Sequence, residues 1–199
     1  MSNPNNFHNV LSRIAEAARS AEAIWLVGGS TGLMMRGMEL ERPPRDLDLY
    51  ADEQDARRLH ERLREYAIDQ QELNISGIYR SLLSHYVIEG VPVELVGGFV
   101  IQSGEDRYAV QVSEVLAPLR YVVRVDGSEI GVVPLAHEMW FNQLRKRQDR
   151  IQMIAETVKA EQDLHKEAFA AIEKANRLSP SSLAYMHDLI GNLRNEGPQ

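Results

Sequence analysis

Apolar positions repeat at helical spacing near the start of the chain. Phe7, Val10, Leu11, Ile14 and Ala17 share one face, which predicts an amphipathic helix over residues 7–20. Ile24-Trp25-Leu26-Val27 is an apolar run of strand length ending in Gly28-Gly29. Helical spacing returns from Ser30 to about Met38, with Leu33, Met34 and Gly37 inward, until Glu41-Arg42-Pro43-Pro44 stops it. Residues 46–50 alternate and predict a second strand. Asp52 is then placed to cap a charged helix whose apolar stripe is Ala56, Leu59, Leu63 and Ala67.

Residues 84–89 and 91–96 read as two strands joined near Glu89-Gly90, with Gly97-Gly98 ending the second. Residues 99–118 have no clear period. Residues 121–125 and 130–133 flank Asp126-Gly127-Ser128, a second hairpin signal. From Pro134 the pattern is helical, with candidate helices at 135–158, 162–177 and 181–194. Ser179-Pro180 supplies a cap and a first helical residue for the last, and Gly197-Pro198-Gln199 reads as a loose end. The expected fold class is α/β (α+β). Residues 1–133 form a small mixed β-sheet with flanking helices, and residues 134–199 form a C-terminal helical region.

Composition narrows the function. The chain has 199 residues, 44% hydrophobic and 26% charged, as in an ordinary globular protein. It has no cysteine, so thiolate metal sites and thiol nucleophiles are excluded. The net charge of −7 argues against extensive binding of duplex nucleic acid, while leaving room for a local basic patch that could meet an RNA end. The first twenty residues lack an apolar leader core, and no apolar stretch reaches bilayer length. A cytoplasmic protein without membrane contact is expected.

The candidate chemistry lies in Val27-Gly28-Gly29-Ser30, Asp46-Leu47-Asp48-Leu49 and Glu94. Glycine turns bring backbone N–H groups close to phosphate oxygens. Clustered carboxylates hold divalent cations. Strand alternation puts Asp46 and Asp48 on one face, and Glu94 turns away from Val93 and Leu95. If the two strands are neighbours, all three acids line one side of the sheet. Each element alone reads more simply as an edge strand, a tight turn or an ion-pair partner. Their occurrence in this order points to a nucleoside triphosphate held with magnesium.

Other motifs are weaker. Asp48 lies twenty residues after Gly28, near the dinucleotide-fold spacing, but Ser30 replaces the second glycine and no Gly-Lys-Ser/Thr of a P-loop follows. The six histidines show no metal-ligand spacing and read as scattered structural residues. Arg57, Arg58, Arg62 and Arg64 form one basic helix cluster, and Arg145, Lys146, Arg147 and Arg150 another. Trp25 and Trp140 read as core residues.

Gly28-Gly29-Ser30, Asp46-Leu47-Asp48 and Glu94 together resemble the signature of the DNA polymerase β superfamily of nucleotidyltransferases. The surrounding phrases resemble its small bacterial members, among them antibiotic nucleotidyltransferases and nucleotidyltransferase-like toxins. The resemblance covers residues 24–96 and is looser beyond. It implies transfer of a nucleoside monophosphate from a triphosphate such as ATP to a hydroxyl of a small molecule, protein or RNA, with release of pyrophosphate. It further implies that Gly28, Gly29 and Ser30 hold the triphosphate, with Arg45 and Arg147 on the nucleotide side. Asp46, Asp48 and Glu94 would be the catalytic acids and the ligands of two magnesium ions, Glu94 also serving as base. Asn142 stands where relatives carry a lysine, a departure on the triphosphate and acceptor side. The competing expectation is a catalytically silent binding module, for example a toxin–antitoxin component.

Overall fold

The computed structural model describes residues 4–191. The chain forms two compact units. One takes the chain up to Val100 and then Ala109–Val133; the other takes Ile101–Tyr108 and the chain from Pro134 onward.

The sheet contains β1 (Trp25–Gly28), β2 (Leu47–Ala51), β3 (Glu72–Ser76), β4 (Tyr79–Ile88), β5 (Val91–Ser103), β6 (Asp106–Ala109), β7 (Tyr121–Val125) and β8 (Ser128–Val132). Its order is β3-β4-β5-β2-β1-β8-β7, with β6 paired to β5. β1 and β2 are antiparallel, whereas β2–β5 and β1–β8 are parallel, so the expected mixed α/β sheet is present. Glu89-Gly90 and Asp126-Gly127 each put two successive residues at positive φ, the requirement of the tight type I′ turn.

Helices α1 (Pro4–Ala21) and α3 (Glu53–Leu63) bring their apolar stripes onto one face of this sheet. Phe7, Val10, Leu11 and Ile14 of α1 and Ala56, Leu59 and Leu63 of α3 share a core with Val27, Leu47, Leu49, Val93 and Leu95. The period of two then assigns Asp48 and Glu94 to the opposite face.

Several local expectations change. Helix α2 (Gly29–Met35) ends before Gly37. Gly37 has φ +82° and donates its N–H to Met34 O, while Met38 N–H reaches Leu33 O. This is a Schellman stop, so Gly37 is a cap rather than an inward residue, and Met34 is exposed. Ala67 lies beyond α3 and bridges Tyr86. Gly97-Gly98 does not end β5, which continues to Ser103. A β-carbon on Gly97 would come within 2.5 Å of Ala56 Cβ, so this glycine provides clearance for α3. The aperiodic stretch 99–118 contains the rest of β5, β6, a π-helical turn at Val112–Leu116 and a 3₁₀ turn at Ala117–Leu119. Asp52 stands at the N-cap position of α3 without capping it. Its carboxylate instead accepts from Val112 N–H (2.8 Å), Ser113 N–H (2.9 Å) and the Ser113 hydroxyl, pinning the π-helical turn.

In the second unit, the stretch 135–158 is two helices, α4 (Leu135–Leu144) and α5 (Gln148–Ala160). Lys146 takes φ +59°, and the N–H groups of Lys146 and Arg147 close on Gln143 O and Asn142 O. A second Schellman stop thus forms without glycine, which places the Arg145–Arg150 basic cluster at a helix break instead of on one helix. Helices α6 (Gln162–Ala175) and α7 (Pro180–Leu189) follow. Ser179 caps α7 by accepting from Ser182 N–H, with Pro180 as first helical residue. The hairpin 101–108 is fastened to this helix start. Buried Asp106 accepts from Ser179 N–H and Ser182 Oγ, both at 2.6 Å, and Arg107 bridges Arg177. Residues 192–194 of the last candidate helix, and Gly197-Pro198-Gln199, lie outside the described residues. Among the described residues no helix is long and apolar enough to cross a membrane.

Helix α4 is buried on nearly every side, Trp140 and His137 completely. Tyr108 Oη stands 2.8 Å from His137 Nδ1, and Phe141 stacks on the imidazole. Burial pushes His137 down to about 3, so the unfolded chain binds the extra proton between that value and the ordinary 6.5. The contribution is complete above about pH 6.5 and is lost as pH falls towards 3. Urea unfolding of the wild type and His137→Gln across this window is expected to show a shallower acid slope for the variant. The difference should approach one proton, about 1.4 kcal/mol per pH unit. Equal slopes would remove His137 as the origin.

Candidate active site

Three adjacent strands build the site by register alone. Gly28 of β1 stands opposite Asp48 of β2, and Asp48 stands opposite Glu94 of β5. The result is a transverse row of glycine, aspartate and glutamate on the sheet face turned away from the α1–α3 core. Neighbouring strands lie about 4.8 Å apart, so side chains in such a row reach one another.

The turn after Gly28 fits closely around this row. Gly29 has φ +59°, and a β-carbon there would fall 1.9 Å from Asp48 Oδ2. Only glycine satisfies both the backbone angle and the carboxylate. Ser30 follows in the first turn of α2. Thr31, fully buried, donates its hydroxyl to Asp46 O at 2.7 Å and so ties α2 to the residue just before β2. Asp46 and Arg45 are exposed at this entrance.

Of the candidate residues, the structure thus brings Gly28, Gly29, Ser30, Asp46, Asp48 and Glu94 to one end of the β1–β2–β5 ribbon, with Arg45 beside Asp46 in the chain. Arg147 lies in the second unit, at the head of α5, where both its Nε and Nη2 face Asp149 at 3.3 Å. Asn142 is buried within α4, its amide donating to Glu138 O and Oε2.

The donor set of the acids is hard oxygen throughout, which suits magnesium or another small divalent cation. The acids are not gathered into a closed cage. Among the described residues no three His, Cys, Asp or Glu side chains stand close enough to hold one ion.

The row continues one strand further, to a pair that the sequence reading passed over. His85 of β4 directs Nε2 to Glu94 Oε2 at 3.4 Å and Nδ1 to Asp69 Oδ2 at 2.5 Å. The His85 amide also donates to Asp69 Oδ1 at 2.8 Å. Burial alone would raise the Asp69 carboxyl, but the hydrogen bonds from His85 outweigh it and hold it below its ordinary value. The only sequence signal was strand alternation, which gives His85 the parity of Leu83 and Val87 and opposes it to buried Ser84 and Tyr86.

This sheet, with a glycine turn set against an acid on the next strand, has the fold of nucleotidyltransferases. A candidate nucleotidyltransferase from Thermotoga maritima has a TM-score of 0.62 at 20% identity, covering 82% of this chain and 96% of that one. The antibiotic-resistance factor ANT(2'')-Ia, in its solution structure, has a TM-score of 0.54 at 10% identity, covering 94% and 99%. No curated protein matches the sequence. The family model of aminoglycoside-2''-adenylyltransferases matches residues 10–155, and the chain belongs to that family and so to the nucleotidyltransferases. The superfamily resemblance carried by Gly28-Gly29-Ser30 and Asp46-Leu47-Asp48 is therefore correct.

The clearance at residue 29 can be measured. Gly29→Ala is expected to cost about 1–3 kcal/mol in chemical unfolding, from left-handed backbone strain and the collision with Asp48. In an Asp48→Ala background the same change should cost clearly less, because the collision is gone while the strain remains. Identical costs in both backgrounds would mean that the carboxylate does not set the requirement for glycine.

Proposed function

We propose that the chain transfers the adenylyl group of ATP to a hydroxyl of a small cationic acceptor. The observation that carries this reading is the register row: Asp48 directly beside Glu94, with Gly29 shaped to the Asp48 carboxylate. The family's own name supports a nucleoside triphosphate donor and an aminoglycoside acceptor. Asp46, Asp48, Asp69 and Glu94 make the neighbourhood acidic, which favours a cationic acceptor over an RNA end or a protein hydroxyl without nearby positive charge.

In this mechanism Gly29 and Ser30 present backbone N–H groups and the Ser30 hydroxyl to the triphosphate. Asp46, Asp48 and Glu94, too open to cage one ion by themselves, would hold magnesium only together with phosphate oxygens of the nucleotide, and the ion when bound would neutralise phosphate charge and acidify the acceptor hydroxyl. The acceptor oxygen forms its bond to the α-phosphorus as the bond to the bridging oxygen of pyrophosphate breaks. The hydroxyl proton passes to the Glu94 carboxylate, and pyrophosphate leaves with the electron pair. Arg45 lies beside Asp46 in the chain and is proposed to meet the nucleotide; Arg147 is assigned there only through the family pattern.

A second reading has its own support. The open spacing of the acids also suits a domain that binds nucleotide or partner without turnover.

Mass analysis after incubation with ATP, magnesium and a panel of aminoglycosides separates the two. An acceptor gaining one adenylyl group, with pyrophosphate released, supports the enzyme. Binding of ATP without any product across donors and acceptors supports the silent module. For an active wild type, Asp48→Asn and Glu94→Gln should each lower kcat by about 10²–10³. ATP should raise Tm with magnesium and much less with chelator, and Asp48→Asn should weaken that shift. An Asp48→Asn protein that is stabilised equally would remove Asp48 from the metal site.

A further inference from the structure

Glu94 is the acid on which the proposed transfer most depends, and one of its neighbours is itself tightly held. Asp69 grips His85 twice, through the backbone N–H at 2.8 Å and through Nδ1 at 2.5 Å. A ring held at Nδ1 by a carboxylate that also holds its own backbone has little rotational freedom. Its Nε2 is thereby presented to Glu94 Oε2 at 3.4 Å, across the β4–β5 boundary.

The side chains of His85 and Glu94 are 38% and 39% exposed. Contacts this open to solvent add little to stability. The same contact matters far more for the direction of a carboxylate, since partners that orient a ligating or proton-accepting group typically change activity 10–100-fold when removed. We infer that His85, locked by Asp69, is a positioning residue that sets the orientation of the Glu94 carboxylate for transfer. Asp69, His85 and Glu94 then act as one unit, in which Asp69 holds the ring and the ring limits the rotamers of Glu94. This rests on the transferase reading for its consequence, but the geometry itself is testable without turnover.

The test has a spectroscopic arm and a kinetic arm. In long-range ¹H–¹⁵N spectra of the wild-type chain, the His85 ring is expected to show a proton on each nitrogen, Nδ1–H bonded to Asp69 and Nε2–H directed at Glu94. Asp69→Asn should alter that Nδ1 signal, and Glu94→Gln should shift the Nε2 resonance. An Nε2 resonance unmoved by Glu94→Gln overturns the inference whatever the activity. In the kinetic arm, His85→Ala should lower kcat about 10–100-fold with KM for ATP within twofold and Tm nearly unchanged. His85→Gln, whose amide reaches towards the Nε2 position, should recover part of the loss. Asp69→Asn with His85→Ala should be no worse than His85→Ala alone. Full activity in His85→Ala, or fully additive losses in the double variant, overturns it. A wild type that transfers to no acceptor but shows the coupled resonances refutes the transferase reading and leaves the positioning intact.

Discussion

The site depends on a missing atom. Oδ2 of Asp48 occupies the place where residue 29 would carry a β-carbon, and the left-handed angle at that position adds strain for any other side chain. With the carboxylate seated against the turn, the antiparallel register of β1 and β2 fixes its height, and the parallel register of β2 and β5 fixes Glu94 beside it. Slipping either pairing by one residue would place leucine or valine on the acidic face and an acid in the core. The apolar packing of Leu47, Leu49, Val93 and Leu95 under α1 and α3 is therefore what holds the acids in place.

This is also why so much of the site could be read from the chain. Alternation is clear over residues 46–49 and 91–95, where Leu47, Leu49, Val93 and Leu95 are buried, although Tyr50 and Val96 are buried on the other parity. Two of the failures turn on glycine. Gly97 looks like a stop but is a clearance for Ala56, whereas Gly37 looks like part of a helix but is its cap. The break at Lys146 carries no glycine at all, and nothing in Arg145-Lys146-Arg147 marks it. The Asp69–His85–Glu94 series joins residues 16 and 9 apart, the first pair through side-chain contacts from a loop and the second across neighbouring strands, so no spacing rule applied to histidines could find it.

Charge is distributed in a related way. Arg57 and Arg58 of α3 pair with Glu53 and Asp55 of the same helix, Arg64 just beyond the helix pairs with Glu61, and Arg62 donates to Ser20 O. Arg147 is likewise engaged by Asp149. The three pairs around α3, spaced i,i+3 or i,i+4, neutralise their own stretch of chain, and Arg147 does so with an acid two residues on. Arg57, Arg58 and Arg64 of the first basic cluster, and Arg147 of the second, are therefore committed to local pairs.

The hairpin 101–108 adds a topological consequence. It lies within the first part of the sequence, yet Asp106 and Arg107 secure the head of α7 in the second unit. The polypeptide leaves the first unit, returns at Ala109 and leaves again at Pro134. Severing it at the obvious joint near residue 133 would strip α7 of the carboxylate that ties its first turn. The two units are thus interleaved along the chain, and neither coincides with one continuous block of sequence.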